Sequence, residues 1–332
     1  MWFLLVRTVK KTKKVIKRKK NHRLLKIFLL VVVIFILWFT AQVQIKGGGV
    51  QGVMATFLGQ SKQDIEALET KYILVLGISK DINANLTDTI MVAAYNPQMQ
   101  KASLISLSRD MFVGNDTSTA KATDKLNSVY SSKGIDGVLN KVNTVTGLNI
   151  KDYVIVNNNA IIEIVDVIGG VEFNVPIDMK YDDPTQDLHI DLKKGLQIID
   201  GTEAEWLLRF RHNNDGTSYP ASYGDNDTGR MRTQREFITE ILKQTIDVKN
   251  VFKVKSLAEA IYNNVETSME KDEIYAYITC AMNFNTDNFK TYAFPGESKK
   301  CNGLWFFVHY KEQGKVLINN MEEYLNTSIV SE

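Results

Sequence analysis

Twenty consecutive positions, Leu24–Val43, carry no charge apart from Lys26. As a helix they would span roughly 30 Å, the thickness of a hydrocarbon core. Lys26 lies near the end, where it can snorkel. After this stretch the apolar rhythm changes. Gly47-Gly48-Gly49 and the residues to about Ser61 read as a flexible stalk, and Lys62–Thr70 as a short helix. Tyr72–Leu76, Thr89–Tyr95 and Leu104–Leu107 are short apolar runs separated by turns, with Gly77 ending the first and Asn96-Pro97 the second. That pattern predicts three strands in the middle of a covered sheet.

The spacing of Ile135, Val138, Leu139, Val142 and Val145 predicts a helix stopped by Gly147. Tyr153–Val156 reads as a strand, Ala160–Ile168 as a helix closed by Gly169-Gly170, and Val171–Val175 as a strand ended by Pro176. The alternation predicts an α/β domain. Residues 177–200 read as loop. Thr202 is expected to open a helix with Glu205 completing a capping box. Residues 212–229, rich in Asn, Asp, Gly, Ser and Tyr, read as a mobile loop. A helix from about Gly229 to Val248 buries Phe237, Ile238, Ile241, Leu242 and Ile246. Further helices are expected at 255–264, 271–282 and 312–325, and strands near Thr291–Phe294 and Leu304–Val308.

Charge fixes the expected topology. Residues 1–26 hold 11 Lys and Arg and no acid, so the rest of the chain has 29 basic against 38 acidic residues, a net of −9. Basic residues before the span place 1–23 in the cytoplasm and the body outside the cell. A cleaved signal peptide fits less well, because Gln42 in Thr40-Ala41-Gln42 is not small. An acidic body argues against nucleic-acid binding, so basic residues clustered within it carry meaning. Cys280 and Cys301 are the only cysteines; their spacing leaves a disulfide open.

The densest such cluster is Arg209-Phe210-Arg211, followed by Asp227, Arg230, Arg232, Gln234 and Arg235. Guanidinium forks grip phosphate oxygens bidentately. Arg209 and Arg211 at i, i+2 share a side if the segment is extended; the competing reading is a pair of cations at a helix C-terminus. Arg230 and Gln234 share a helical face, and Asp227 before them suits an N-cap. Ser108-Arg109-Asp110 follows one strand and Thr87-Asp88-Thr89 opens another, so both lie at sheet edges where α/β ligands bind. If the sheet is parallel there, Arg109 and Asp88 face one edge. Asp88 suits Mg²⁺ bound with diphosphate oxygens and water, or a plain turn residue. Lys125 and Asn127 form a weaker group.

Taken in order, these pieces resemble the LytR-CpsA-Psr family of cell-envelope proteins. The resemblance covers about 72–245 and rests on a strand ending in Gly77, Thr87-Asp88-Thr89, Asn96-Pro97, Ser108-Arg109-Asp110, Lys125-Leu126-Asn127, Asp166-Val167-Ile168-Gly169-Gly170-Val171, Arg209-Phe210-Arg211, and Asp227-Thr228-Gly229-Arg230 with Gln234. It implies a central mixed β-sheet covered by helices on both faces, preceded by a single transmembrane helix. The implied plan is a tail over 1–23, a span over 24–43, a stalk over 44–70, a catalytic core over 71–248, and its C-terminal part over 249–332. The implied activity is a Mg²⁺-dependent transfer of a glycopolymer (teichoic acid, capsule or another wall glycan) from an undecaprenyl-diphosphate carrier to peptidoglycan, at the outer face of the bacterial membrane. Carried over, Arg109, Arg209 and Arg211, with Lys125, Arg230 and Gln234, grip the diphosphate. Asp88 places the metal, and Asp227 either pairs with the arginines or activates the incoming hydroxyl. Ile161, Ile164, Val165 and Phe237 line a prenyl cavity or, on ordinary burial tendencies, form core.

Three positions depart from the family pattern. Ser79 and Asp81 stand where the family has Asp and Arg, so a second metal carboxylate has to come from Asp81 or Asp110. Thr233 stands where it has Arg before Gln. These departures keep a non-catalytic polyprenyl-diphosphate or wall-glycan binding protein in view. An envelope-linked transcriptional attenuator is the other alternative, although a tail of about 23 residues leaves no room for a folded nucleic-acid-binding domain.

Overall fold

A computed structural model describes residues 22–81, 84–224, 226–245 and 254–328; for 22–29, 79–81, 84–86 and 254 it describes the backbone alone. The chain divides into two compact units, 1–42 and 43–332. In the first, helix α1 (His22–Ile45) runs through the predicted span. Leu30, Val31, Val33, Ile34, Phe35, Ile36, Leu37 and Trp38 are all exposed. Among the described residues no single helix is long and apolar enough to cross a membrane. The part of α1 with described side chains begins only at Leu30, six residues into the predicted span.

In the second unit the segment expected to be a stalk is folded. Helix α2 (Gly49–Leu58) buries Met54, Ala55 and Leu58, and α3 (Lys62–Glu66) starts from a capping box made by Ser61 and Asp64. Glycine-rich sequence fails to predict a stalk here because its apolar residues find partners. Met54 and Leu58 pack with Ile274, Tyr275 and Met282.

The chain then forms β1 (Lys71–Asp81), β2 (Ala84–Asn96) and β3 (Lys101–Leu107), and after a loop α4 (Leu126–Thr146), β4 (Asp152–Val156), α5 (Asn158–Ile168) and β5 (Val171–Val175). Next come β6 (Met179–Asp183), β7 (Leu188–Leu192), β8 (Gly195–Ile199), α6 (Gly201–Arg209) and α7 (Asn226–Thr245). The remainder is α8 (Val254–Asn264), β9 (Val265–Thr267), α9 (Lys271–Ala281), β10 (Phe289–Ala293), β11 (Gly296–Cys301), β12 (Leu304–His309) and α10 (Lys311–Asn326).

Six strands form the central sheet in the order β10-β3-β2-β1-β4-β9. β1–β2, β2–β3 and β4–β9 are antiparallel, while β1–β4 and β3–β10 are parallel, so the sheet is mixed. Strand alternation sorts its side chains. Leu74, Leu76, Ile90, Val92, Ile105 and Leu107 point to one face and join a core with Val138, Val142, Ile318 and Met321 from α4 and α10. Full burial of each such side chain contributes about 1.5–3 kcal/mol. On the other face Ile73 packs with α2, α8 and α9. The residues after 248 supply both edge strands, β9 and β10, so they complete this domain.

Residues 177–200, expected to be loop, form β6, β7 and β8. Leu188, Ile190 and Leu192 alternate buried with exposed His189 and Asp191. They close a second core with Val165, Phe173, Leu207, Phe210 and Phe237. Phe173 meets Phe237 edge to face at 5.3 Å. Val165 and Phe237 are therefore packing residues. The capping box of α6 is Asp200 with Glu203, two residues earlier than Thr202 and Glu205. Asp166 explains its own motif: its carboxylate accepts from Gly201 N at 3.0 Å, tying α5 to the start of α6. Cys280 and Cys301 are both free and buried, in different apolar clusters.

Candidate functional site

The site begins with an irregularity in the β1–β2 ladder. Gly77 pairs with Thr89 and Ile78 with Thr87, which leaves Asp88 as the extra residue of a bulge. A bulge re-aims its side chain and bends the strand. Gly77 is needed here, because a Cβ on it would lie 2.9 Å from Thr89 Cβ. Asp88 thus leaves the ladder at the sheet's edge.

Arg109 reaches the same edge because β2 and β3 are antiparallel, not parallel. The start of β2 lies beside the end of β3. Arg109 Nη1 donates to Asp88 Oδ1 at 2.5 Å. Arg211 Nη2 donates to the same oxygen at 3.4 Å. Arg230 Nη2 donates to the Asp88 backbone carbonyl at 3.3 Å. Asp227 Oδ1 lies 2.6 Å from Arg230 Nη2, 3.7 Å from Arg211 Nε and 3.8 Å from Arg109 Nε. Residues from four distant stretches therefore form one constellation.

The first turn of α7 holds two members of that set. Asp227 sits inside the turn and is not its N-cap; an acid there is favoured by the helix dipole. Gly229 lets this turn approach the preceding loop, since a Cβ would lie 2.3 Å from the Tyr219 ring and 2.5 Å from Gly224 O. Gln234 is buried and donates to Leu208 O at 3.0 Å, which ties α7 to α6. Thr233 is fully buried and bonds the Tyr223 hydroxyl, so that position serves packing.

Lys125 joins the edge of the cluster through Asp110, at 2.8 Å, and Asp110 lies 4.0 Å from Arg109 Nε. Arg209 stands apart. α6 ends at Arg209, Phe210 turns into the core, and Arg209 pairs with Glu205 at 2.9 Å and Gln186 at 2.7 Å. The i, i+2 argument fails because Arg209 is still helical, so the two arginines diverge. The side chain of Asp81 lies outside the described residues. Its backbone pairs with Ala84, four residues from Asp88 along β2, or roughly 13 Å at strand rise.

Electrostatics marks the cluster as strained. Burial pushes the Arg230 guanidinium down to about 10, with Asp227 opposing and Arg211 and Arg109 adding to the fall. Burial and then the neighbouring Arg109 lower Arg211. Both remain cations at neutral pH. Arg109 Nε and Arg230 Nε are buried donors without an aligned hydrogen-bond partner among the described residues. Each such atom costs about 1–3 kcal/mol. They suit a polar ligand that would satisfy them.

A tight crevice lies among them, lined by Asp88, Thr89, Met91, Ser106, Arg109, Asp227, Met231 and Gln234. Ser106 and Met231 were not legible as site residues; the only signal is a hydroxyl inside the apolar run Leu104–Leu107. Among the described residues no group of three or more His, Cys, Asp or Glu could hold a metal by itself. Mg²⁺ in phosphoryl-transfer sites is commonly held through one or two carboxylates plus substrate phosphates. Asp88 fits that donor set as the protein's carboxylate.

Comparison with known proteins agrees with the fold. The LytR_cpsA_psr family model matches residues 46–323. Biofilm regulatory protein A of Streptococcus mutans is 25% identical over 258 residues, covering 73% of this chain and 61% of that protein. The polyisoprenyl-teichoic acid–peptidoglycan teichoic acid transferase TagU of Bacillus cereus is 25% identical over 279 residues, covering 81% of this chain and 84% of that protein. The crystal structure of Bacillus subtilis TagV superposes with a TM-score of 0.64 at 22% identity, covering 79% of this chain and 99% of that one.

Proposed function

The chain belongs to the LytR_cpsA_psr family, and from that premise we propose that it is an extracytoplasmic phosphotransferase moving a wall glycopolymer from a polyprenyl-diphosphate carrier to peptidoglycan. A relative named as a teichoic acid–peptidoglycan transferase supports the reaction class. The observation that carries the reading is the convergence of Arg109, Arg211 and Arg230 on Asp88 and Asp227 beside a crevice that their own side chains line. Three guanidinium groups facing two carboxylates leave an excess of positive charge for an anion. The basic tail and the exposed apolar face of α1 support a membrane anchor with its N-terminus in the cytoplasm.

Phosphoryl transfer needs positioning and charge neutralisation more than covalent chemistry. In this reading the arginines grip the diphosphate oxygens. A sugar hydroxyl of the acceptor attacks the phosphorus that bears the glycopolymer. The new oxygen–phosphorus bond forms as the hydroxyl proton passes to a departing phosphate oxygen or to solvent, the bond to the lipid phosphate breaks, and undecaprenyl phosphate leaves with the charge the arginines offset. Asp88 holds Arg109 and Arg211 at one oxygen. Asp227, within 4 Å of all three arginines, acts as a brace between them. A bound Mg²⁺, held by Asp88 and substrate oxygens, would add neutralisation at the diphosphate.

The test is a purified transfer assay with a lipid-diphosphate-linked glycopolymer and peptidoglycan fragments. Transfer by the native chain and its loss in Arg109→Ala support the reading. Full activity in Arg109→Ala rejects the arginine clamp.

A further inference from the structure

Next to this site stands a feature the reaction has not used. The β11–β12 hairpin turns at Asn302-Gly303, with φ of 46° and 83°, the pairing that a two-residue type I′ turn demands. It is fastened to the site's own loop: Phe307 N donates to Asp110 O and Phe112 N to Phe307 O, each at 2.9 Å. Phe306 is buried against Phe112, edge to face at 5.4 Å, and Asn302 Nδ2 donates to Ala120 O at 3.1 Å. A hairpin held at its base and its tip is a rigid surface. On it Trp305 is 63% exposed, directly across from Lys300. It shares a face with Phe307 two residues on, roughly 7 Å along the strand from the anchor to Asp110.

We propose that this hairpin is the platform for the acceptor, a pyranose-containing glycan strand, with the Trp305 indole stacked on a sugar ring and Lys300 beside it taking an acidic substituent. The assignment rests on the transferase reading for the reason a glycan comes to this end of the sheet. A large, rigid aromatic face offers contact area at low entropic cost. It needs a flat C–H surface opposite, which a hexose ring has and a polyol-phosphate chain lacks. That favours the acceptor over a polyol-phosphate donor polymer. Lys300, exposed on the same face as Trp305, complements the carboxylates that decorate peptidoglycan.

Tryptophan beside lysine also marks membrane interfaces, so vesicle binding forms a separate arm of the test. The chain enters the sheet at Lys71 from α3, and β1, β3 and β10 all run away from that end. The hairpin follows β10 at the far end, about 20 Å along the strands from Lys71 to Gly77. It therefore sits beside the reacting groups, at the opposite end of β1 from Lys71.

The experiment titrates full-length protein in detergent micelles with a muramidase-released, N-acetylated peptidoglycan tetrasaccharide carrying its stem peptides, followed by calorimetry. Trp305→Ala should weaken binding at least tenfold, Trp305→Phe by less, and Lys300→Ala only for fragments that keep their carboxylates. Arg211→Ala should bind the fragment as the native chain does, so a failed transferase reading and a failed platform are distinguishable. Native affinity in a Trp305→Ala protein with an unchanged melting temperature overturns the proposal. So does an absence of binding by the native chain. So does a Trp305→Ala defect confined to anionic vesicles or to the donor polymer.

Discussion

Arg230 donates to the backbone carbonyl of Asp88 at 3.3 Å, at the one position that the bulge leaves out of the β1–β2 ladder. The irregularity therefore does two things at once: it turns the Asp88 carboxylate toward Arg109 and Arg211, and it gives α7 a docking point on the sheet.

The two arginines of Arg209-Phe210-Arg211 should differ sharply. Arg211 contacts Asp88 and lies within 4 Å of Asp227, whereas Arg209 pairs with Glu205 and Gln186. Arg211→Ala is expected to reduce transfer by about 10²–10³-fold, the usual loss for one electrostatic donor. Arg209→Ala should cost less than tenfold. Steady-state rates on one lipid-diphosphate donor decide it, and equal losses would place Arg209 among the groups that contact substrate.

Gly77→Ala tests the bulge itself. The added methyl meets Thr89 Cβ at 2.9 Å, so the strands have to part. Overpacking of this kind costs about 1–3 kcal/mol, and activity should fall further than stability because Asp88 moves with the bulge. Thr89→Gly in the same chain removes the opposing carbon. A double-mutant cycle by denaturant melting should show coupling between the two sites, and simple additivity would mean the bulge relaxes elsewhere.

Much of this was readable before the fold was known. The runs at Tyr72–Leu76, Thr89–Tyr95 and Leu104–Leu107 became β1, β2 and β3, because strands buried on both faces must be apolar throughout. Asp88, Arg109, Arg211, Asp227 and Arg230 were each legible as chemistry. Their meeting was not, since it depends on an antiparallel pairing and a bulge that leave no local trace. The Leu188–Leu192 alternation is legible in the sequence, but polar neighbours mask it. Helix α2 was hidden behind three glycines: its stripe of Met54, Ala55 and Leu58 acquires meaning only against Tyr275 and Met282.

His309 gives the molecule an acid sensitivity. Burial and then Lys311 hold its imidazole below the usual 6.5. Above 6.5 the ring is neutral in both states and costs nothing. As pH falls from 6.5 through the folded value, the unfolded chain takes up the proton first, and stability declines before levelling off. Melting temperatures at pH 7.5 and 5.0 should therefore fall more for the native chain than for His309→Gln. An identical drop in both would assign the acid sensitivity to other groups.

Metal dependence should follow the substrate and not the free protein. Mg²⁺ seeks six oxygen ligands and gives up water reluctantly. The described residues offer no cluster of three acids, and Asp88 is already engaged by Arg109 and Arg211. Calorimetry of Mg²⁺ with the protein alone should therefore show weak binding. Adding a short-chain prenyl diphosphate should tighten it, because phosphate oxygens draw the arginines away and complete the shell. Reciprocity requires Mg²⁺ to tighten the diphosphate by the same factor, a readout independent of turnover. Asp88→Asn should abolish that mutual gain while retaining part of the metal-free diphosphate binding through Arg211 and Arg230. Chelation should slow the native enzyme and leave Asp88→Asn at its own low rate. If diphosphate affinity is the same with and without Mg²⁺ in the native chain, the arginines alone neutralise the head group and Asp88 serves only to position them.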